Sequence, residues 1–274
     1  MKVAALQMTS TSDCAVNLLQ ALDLLRQAAQ QGAELAVLPE YFCLMGLRDA
    51  DKLRIQEPWG SGPIQESMAQ AAQSLGLWIV AGSLPLSATL EGPSPQVYNS
   101  SLAFNPQGQC VARYDKMHLF QFKTDTEQYD EHRSLLAGAK PTLFELQDKS
   151  GALWRIGMSI CYDLRFPELY RAYATEGADI LLVPSAFTRT TGLAHWETLI
   201  KARAIENLAY VVAPAQSGMH DNQRQTHGHS LLVDPWGVVL AEKTEGVGVV
   251  MAELSRDAME QDRRKLPALQ HRRL

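Results

Sequence analysis

The chain has 274 residues, of which 46% are hydrophobic and 20% charged, proportions that fit a folded globular protein and exclude general disorder. Its 25 Lys and Arg face 30 Asp and Glu, for a net charge of −5, so it carries no electrostatic footprint for nucleic acid or an anionic membrane. Cysteines at 14, 43, 110 and 161 form no Cys-x-x-Cys pair, which argues against a disulfide framework or a structural zinc site and for reduced thiols in a cytoplasmic protein. The N-terminus turns polar at Thr9, too soon for a signal peptide, and no apolar run reaches transmembrane length. A soluble, unprocessed single domain over residues 1–274 is expected.

In chain order, residues 3–8 predict a buried strand, and Ser12-Asp13 offers N-caps for a helix carrying Val16, Leu18, Leu19, Leu22, Leu25 and Ala29 that Gly32 stops. Residues 35–38 read as a second buried strand, left abruptly through Pro39-Glu40, which puts Glu40 at a strand's carboxyl end, where α/β sheets place chemistry. Pro63 opens a helix that Gly76 ends, and residues 77–81 form the next strand. The turn sequence Asn105-Pro106-Gln107-Gly108 joins strands 97–104 and 109–114 into a hairpin, so the sheet is mixed. Residues 120–141 are polar and irregular, a candidate functional loop. A strand over 153–160 then delivers Cys161, and a helix from Phe166-Pro167-Glu168 runs to Gly177. A strand at 180–183, a helix over 195–208, strands near 210–213 and 230–233, a turn at Asp234-Pro235-Trp236-Gly237 and strands through 251 complete the pattern, an α/β protein with a mixed sheet.

Cys161 stands between an apolar strand and a helix start, where a thiolate is held sharply and meets backbone N–H groups. Most cysteines after an apolar strand are small buried hydrophobes, and a working thiol, with an ordinary pKa of about 8.5, needs a base or a cation beside it. His118, His195, His220, His227 and His229 are available, but none stands in a papain-like or caspase-like context. Glu40, just past one strand, and Lys116, just past the hairpin strand, are better placed to supply the base and the cation.

Leu38-Pro39-Glu40, Tyr114-x-Lys116-x-His118-Leu119 and Cys161-Tyr162-Asp163-x-Arg165-Phe166-Pro167-Glu168 resemble the three signature blocks of the nitrilase superfamily of carbon–nitrogen hydrolases. The likeness runs from Val3-Ala4-Ala5-Leu6-Gln7 through Ala194-His195-Trp196-Glu197 to Val233-Asp234-Pro235-Trp236-Gly237. It implies a four-layer α-β-β-α sandwich of two mixed sheets and a homo-oligomer, a dimer or dimer of dimers. It further implies that Cys161 is the nucleophile, Glu40 the general base, and Lys116, with the Tyr162 backbone N–H, the oxyanion partner. Glu131, in Glu131-His132-x-Ser134, matches a second glutamate that positions the site. The resemblance implies no cofactor and no metal, and a small-molecule linear amide as substrate. Gln121 after Leu119-Phe120 departs from the Asp of many relatives and touches loop detail alone.

Within the superfamily, Ala215-Gln216-x-Gly218-x-His220, Arg224, Gly228-His229-Ser230 and Leu266-Pro267-x-x-Gln270-His271-Arg272-Arg273 resemble the branch acting on deaminated glutathione more than the omega-amidase branch. A 2-oxo acid amide then needs a cation for its carboxylate. Arg165 matches that position and Phe187 and Thr191 complete the acyl pocket, unless Arg165 merely pairs with Asp163 or Glu168 to brace the nucleophile. Two readings from other classes stay open: a non-catalytic binding protein, and a metal-dependent amidohydrolase using His227 and His229, which would share a strand face. The basic segments Arg263-Arg264-Lys265 and His271-Arg272-Arg273 read as a solvated or subunit-contacting tail.

Overall fold

The computed structural model describes residues 1–89, 93–123, 125 and 128–273. Two mixed sheets dominate it. In the first, the strand order is Gly248–Glu253, Lys2–Gln7, Leu35–Val37, Trp78–Ser87, Val97–Phe104, Cys110–Asp115, with the short Leu135–Leu136 segment also pairing on Val97–Phe104. In the second it is Val239–Lys243, Ser230–Val233, Tyr210–Ala213, Ile180–Leu182, Leu153–Met158, Leu143–Gln147. Each has three parallel strands at its centre and antiparallel strands outside them. Parallel central strands require crossover helices, and these cover the outer faces.

The layering follows from the alternation within the first strand. Val3 and Ala5 join the core shared with Trp154, Ile156 and Val211 of the second sheet, whereas Ala4 and Leu6 join Leu24, Leu25 and Met68 of the helices Cys14–Gln30 and Pro63–Leu75. Both faces of that strand are therefore apolar and buried, and period-two alternation is absent from its sequence because neither face meets water. The helices Pro167–Thr175 and Arg189–Asn207 cover the second sheet, which completes the α-β-β-α sandwich.

Helix boundaries agree with the local chemistry. Asp13 accepts from the N–H groups of Ala15 and Val16, Pro63 takes the first helical position, and Gly76 closes that helix in the left-handed conformation. Other expectations need correction. The helix expected from His195 starts at Arg189, because Thr188 caps it with its hydroxyl. The strand expected over 77–81 continues to Ser87 across an irregularity. The expected irregular stretch 120–141 holds a short antiparallel pair, Gln121–Lys123 with Gln128–Asp130, and a helical turn Glu131–Arg133; its residues 124, 126 and 127 lie outside the described ones. The basic C-terminus is not simply solvated. Arg263 donates to Asp179 at 3.0 Å and to the carbonyls of Leu208 and Ala178, clamping its helix, Arg256–Lys265, to the second sheet. Among the described residues, no helix is long and apolar enough to cross a membrane.

Candidate active site

Glu40, Lys116 and Cys161 each follow a strand, two from the first sheet and one from the second, and the packing of the sheets brings them together. Cys161 sits at φ +49°, a left-handed conformation uncommon for a residue with a side chain, and starts a tight turn, Cys161–Arg165. Asp163 holds the turn. Its buried carboxylate accepts from the Ile160 N–H at 2.8 Å, the Tyr114 hydroxyl at 2.7 Å and the His118 N–H at 3.0 Å, and meets the His118 ring nitrogen at 2.7 Å. Tyr114 and His118 flank Lys116, so one carboxylate ties the lysine's segment to the cysteine's.

The Glu40 carboxylate is saturated and buried. One oxygen accepts from Lys116 Nζ at 2.9 Å and from Asn99 Nδ2 at 3.0 Å; the other accepts from the Ala186 N–H at 3.0 Å. Its approach depends on Gly82: a side-chain carbon there would stand 2.1 Å from the carbonyl oxygens of both Leu38 and Pro39, so only glycine lets the Glu40 segment cross the Trp78–Ser87 strand. Ser83 then accepts from the Tyr41 N–H at 3.0 Å.

Lys116 Nζ also donates to Glu131 at 2.9 Å, and Glu131 accepts from the Tyr41 hydroxyl at 2.8 Å and the Phe120 N–H at 2.7 Å. Burial by itself would lower the Lys116 pKa, but Glu131 and Glu40 outweigh it and hold the ammonium charged well above its ordinary range. Against its own burial, Glu131 is pulled below the usual carboxyl range by Lys116 and then by Lys52. Burial pushes the Cys161 thiol well up, Glu40 pushes the same way, and Lys116 opposes them. At rest Cys161 is therefore held as a thiol, with a carboxylate beside it able to take a proton and a fixed cation able to meet a developing oxyanion.

These groups line a cavity of about 280 Å³ together with Tyr162, Arg165, Phe187 and Thr191. The Tyr162 ring stands edge-on to Phe120 and Phe166. Phe187 packs on Trp196, and Thr191 shares a hydroxyl contact of 2.9 Å with Thr188. Arg165 lies over the rings of Phe187 and Tyr162 and meets His195 Nδ1 at 3.3 Å. No ion pair joins it to Asp163, whose oxygens are taken, or to Glu168; among the described residues it has no carboxylate partner.

The family model for carbon–nitrogen hydrolases matches residues 2–264. The chain belongs to this family. A deaminated glutathione amidase of Synechocystis is 43% identical over 98% of this chain and 97% of its own length, and the human enzyme of that name is 42% identical over 99% of this chain and 82% of its own. Among solved structures, Saccharomyces cerevisiae Nit3, a member of branch 10 of the nitrilase superfamily, superposes with a TM-score of 0.85 at 29% identity, over 100% of this chain and 97% of that one. This carbon–nitrogen hydrolase is accordingly an enzyme of carbon–nitrogen bond hydrolysis with the four-layer nitrilase-like fold.

The histidine alternative fares differently. The His227 and His229 rings stack at 4.3 Å, His229 meets Glu242 at 2.6 Å, and His227 packs against Gly192. Among the described residues, no three His, Cys, Asp or Glu side chains gather as a metal site. Partial burial, followed by His229 and Arg189, pushes the His227 pKa down to about 4.

Sequence reading missed four members of the hydrolase's site: Asn99, Tyr41, Ser83 and the role of Asp163. An asparagine within the buried strand Val97–Phe104 is the one signal available, since a buried amide needs partners.

Proposed function

We propose that the chain is an amidase, acting as one domain over residues 1–274, that hydrolyses a linear amide of a 2-oxo dicarboxylate through a cysteine thioester. The proposed substrate is deaminated glutathione, cleaved to 2-oxoglutarate and cysteinylglycine in metabolite repair. The observation that carries the reading is the Glu40–Lys116–Glu131 chain beside Cys161, in a cavity that also holds Arg165 without a carboxylate partner among the described residues. The full-length likeness to enzymes named deaminated glutathione amidase supports the substrate.

In this mechanism Sγ of Cys161 attacks the amide carbon while Glu40 takes the thiol proton, and the oxyanion is met by Lys116 Nζ and the Tyr162 N–H. Glu40 returns the proton to the amine nitrogen, the C–N bond breaks, and a thioester remains. Glu40 then takes a proton from water as it attacks; the second intermediate releases the acid, and the Cys161 sulfur recovers the proton. Glu131 holds Lys116 in line. No cofactor or metal enters the scheme. The reading includes a cytoplasmic homo-oligomer, a dimer or dimer of dimers.

Assays with deaminated glutathione, 2-oxoglutaramate and simple aliphatic amides test the substrate class. Turnover of the aliphatic amides with none of either 2-oxo acid amide would overturn it. Arg165→Lys tests the acyl pocket. An ammonium cannot reproduce the planar guanidinium fork on a carboxylate, so kcat/KM toward 2-oxo acid amides is expected to drop about tenfold or more. Toward an amide lacking that carboxylate it should drop far less; equal losses on both would assign Arg165 to support of Cys161.

A further inference from the structure

A second cavity, of about 550 Å³, adjoins the first and is lined by Tyr41, Lys52, Phe120, Tyr129, Glu131 and Arg224 among others. Phe120, Glu131 and Arg224 line both, so the two spaces meet along these side chains. Arg165 lines the Cys161 cavity and not the second, whereas Lys52 and Arg48 line the second and not the first, so Arg165 and Lys52 lie on either side of the shared wall.

Lys52 sits on the short turn Asp49–Arg54 with its ammonium 5.4 Å from the centre of the Tyr41 ring. Among the described residues, no carboxylate comes within ion-pair distance of it. Asp49 and Asp130 share the cavity wall, but Asp130 is paired with His132 and Arg133. Burial lowers the Lys52 pKa from its ordinary value, and Glu131 and Asp49 pull it back up without forming an ion pair with it. At the shared wall, Arg224 gives one nitrogen to the Ala186 carbonyl at 2.5 Å and lies over the Tyr129 ring, while its buried Nε has no hydrogen-bond partner among the described residues.

A substrate cleaved at Cys161 with its acyl carboxylate on Arg165 must send its amine half the other way. An enzyme releasing only ammonia would need neither this space nor these donors. We propose that the second cavity is the leaving-group site, that it takes amines extended in the manner of a short peptide and ending in a carboxylate, and that Lys52 reads that carboxylate. This rests on the proposed hydrolysis of 2-oxo dicarboxylate amides and specifies its other half. Arg224 Nε is placed to meet a carbonyl of the same amine.

The test compares kcat/KM for deaminated glutathione with that for its C-terminal carboxamide, which has the same scissile bond and no terminal charge, in the unmodified enzyme and in Lys52→Met and Lys52→Arg. The unmodified enzyme should prefer the carboxylate by about tenfold or more, the worth of a hydrogen-bonded charge. Lys52→Met should bring that ratio to within about twofold of unity and Lys52→Arg should retain most of it. An unmodified enzyme indifferent to the terminal group would overturn the proposal, whether or not the methionine variant folds. So would equal losses on both substrates in Lys52→Met, which would make Lys52 an electrostatic prop for Glu131. If the unmodified enzyme cleaves neither peptide amide nor 2-oxoglutaramate, the substrate reading falls and this site with it. Cleavage of both peptide amides at one rate removes the Lys52 site alone.

Discussion

Cys161→Ala abolishes turnover, by at least about a thousandfold, with the fold retained. The thioester cannot form without the sulfur, and neither Glu40 nor Lys116 has another nucleophile to serve. The structural cost is small: one sulfur leaves a buried site, and the left-handed backbone at position 161 is no worse for alanine than for cysteine. Intact-mass measurement with a slow substrate should find an acyl adduct on the unmodified enzyme and none on the variant. Turnover of the variant within about a hundredfold of the unmodified enzyme would remove Cys161 from the nucleophile's role.

Glu40→Gln is expected to lose about a hundred- to ten-thousandfold in kcat, since an amide cannot shuttle the proton. It should also lower stability, for a reason visible only in the hydrogen-bond pattern. Both carboxylate oxygens accept, from Lys116 and Asn99 on one side and from the Ala186 N–H on the other. An amide has one oxygen, so its NH₂ must face a donor, and Lys116 loses a counter-charge in a buried setting, a cost of roughly 2–4 kcal/mol. Thermal unfolding and steady-state rates measured together check both parts. A variant that melts early but turns over at the unmodified rate would exclude Glu40 as the base.

Some of this was legible before any coordinates. Asp13, Pro63, Gly76 and Gly177 mark helix ends through local chemistry alone, and the strand before Glu40 shows in a four-residue apolar run. The family likeness of three separated blocks carries to the whole chain, as the match over residues 2–264 bears out. Periodicity could not divide the strands into two sheets. Leu35–Val37 and Ile180–Leu182 are three-residue apolar strands buried on both faces, and nothing local says which partners each will choose. Asn99 meets Glu40 across 59 positions and His118 meets Asp163 across 45, distances at which side-chain pairing leaves no pattern in a single sequence. Lys52 gives no signal in the sequence, because what distinguishes it, the lack of an ion-pairing carboxylate among the described residues, is a property of space.

The strand Gly248–Glu253 pairs with Lys2–Gln7, so the first sheet is closed at one edge by the end of the chain. Gln7 reinforces the link, accepting from the Ser230 N–H and donating to the Gly246 carbonyl. During synthesis, Lys2–Gln7 is made long before Gly248–Glu253 and can pair on that side only once the later strand has emerged. Cys161 emerges in the interval, while this edge of the first sheet is still open. The same lacing slows folding, because pairing two strands so far apart in the sequence requires closing a long loop.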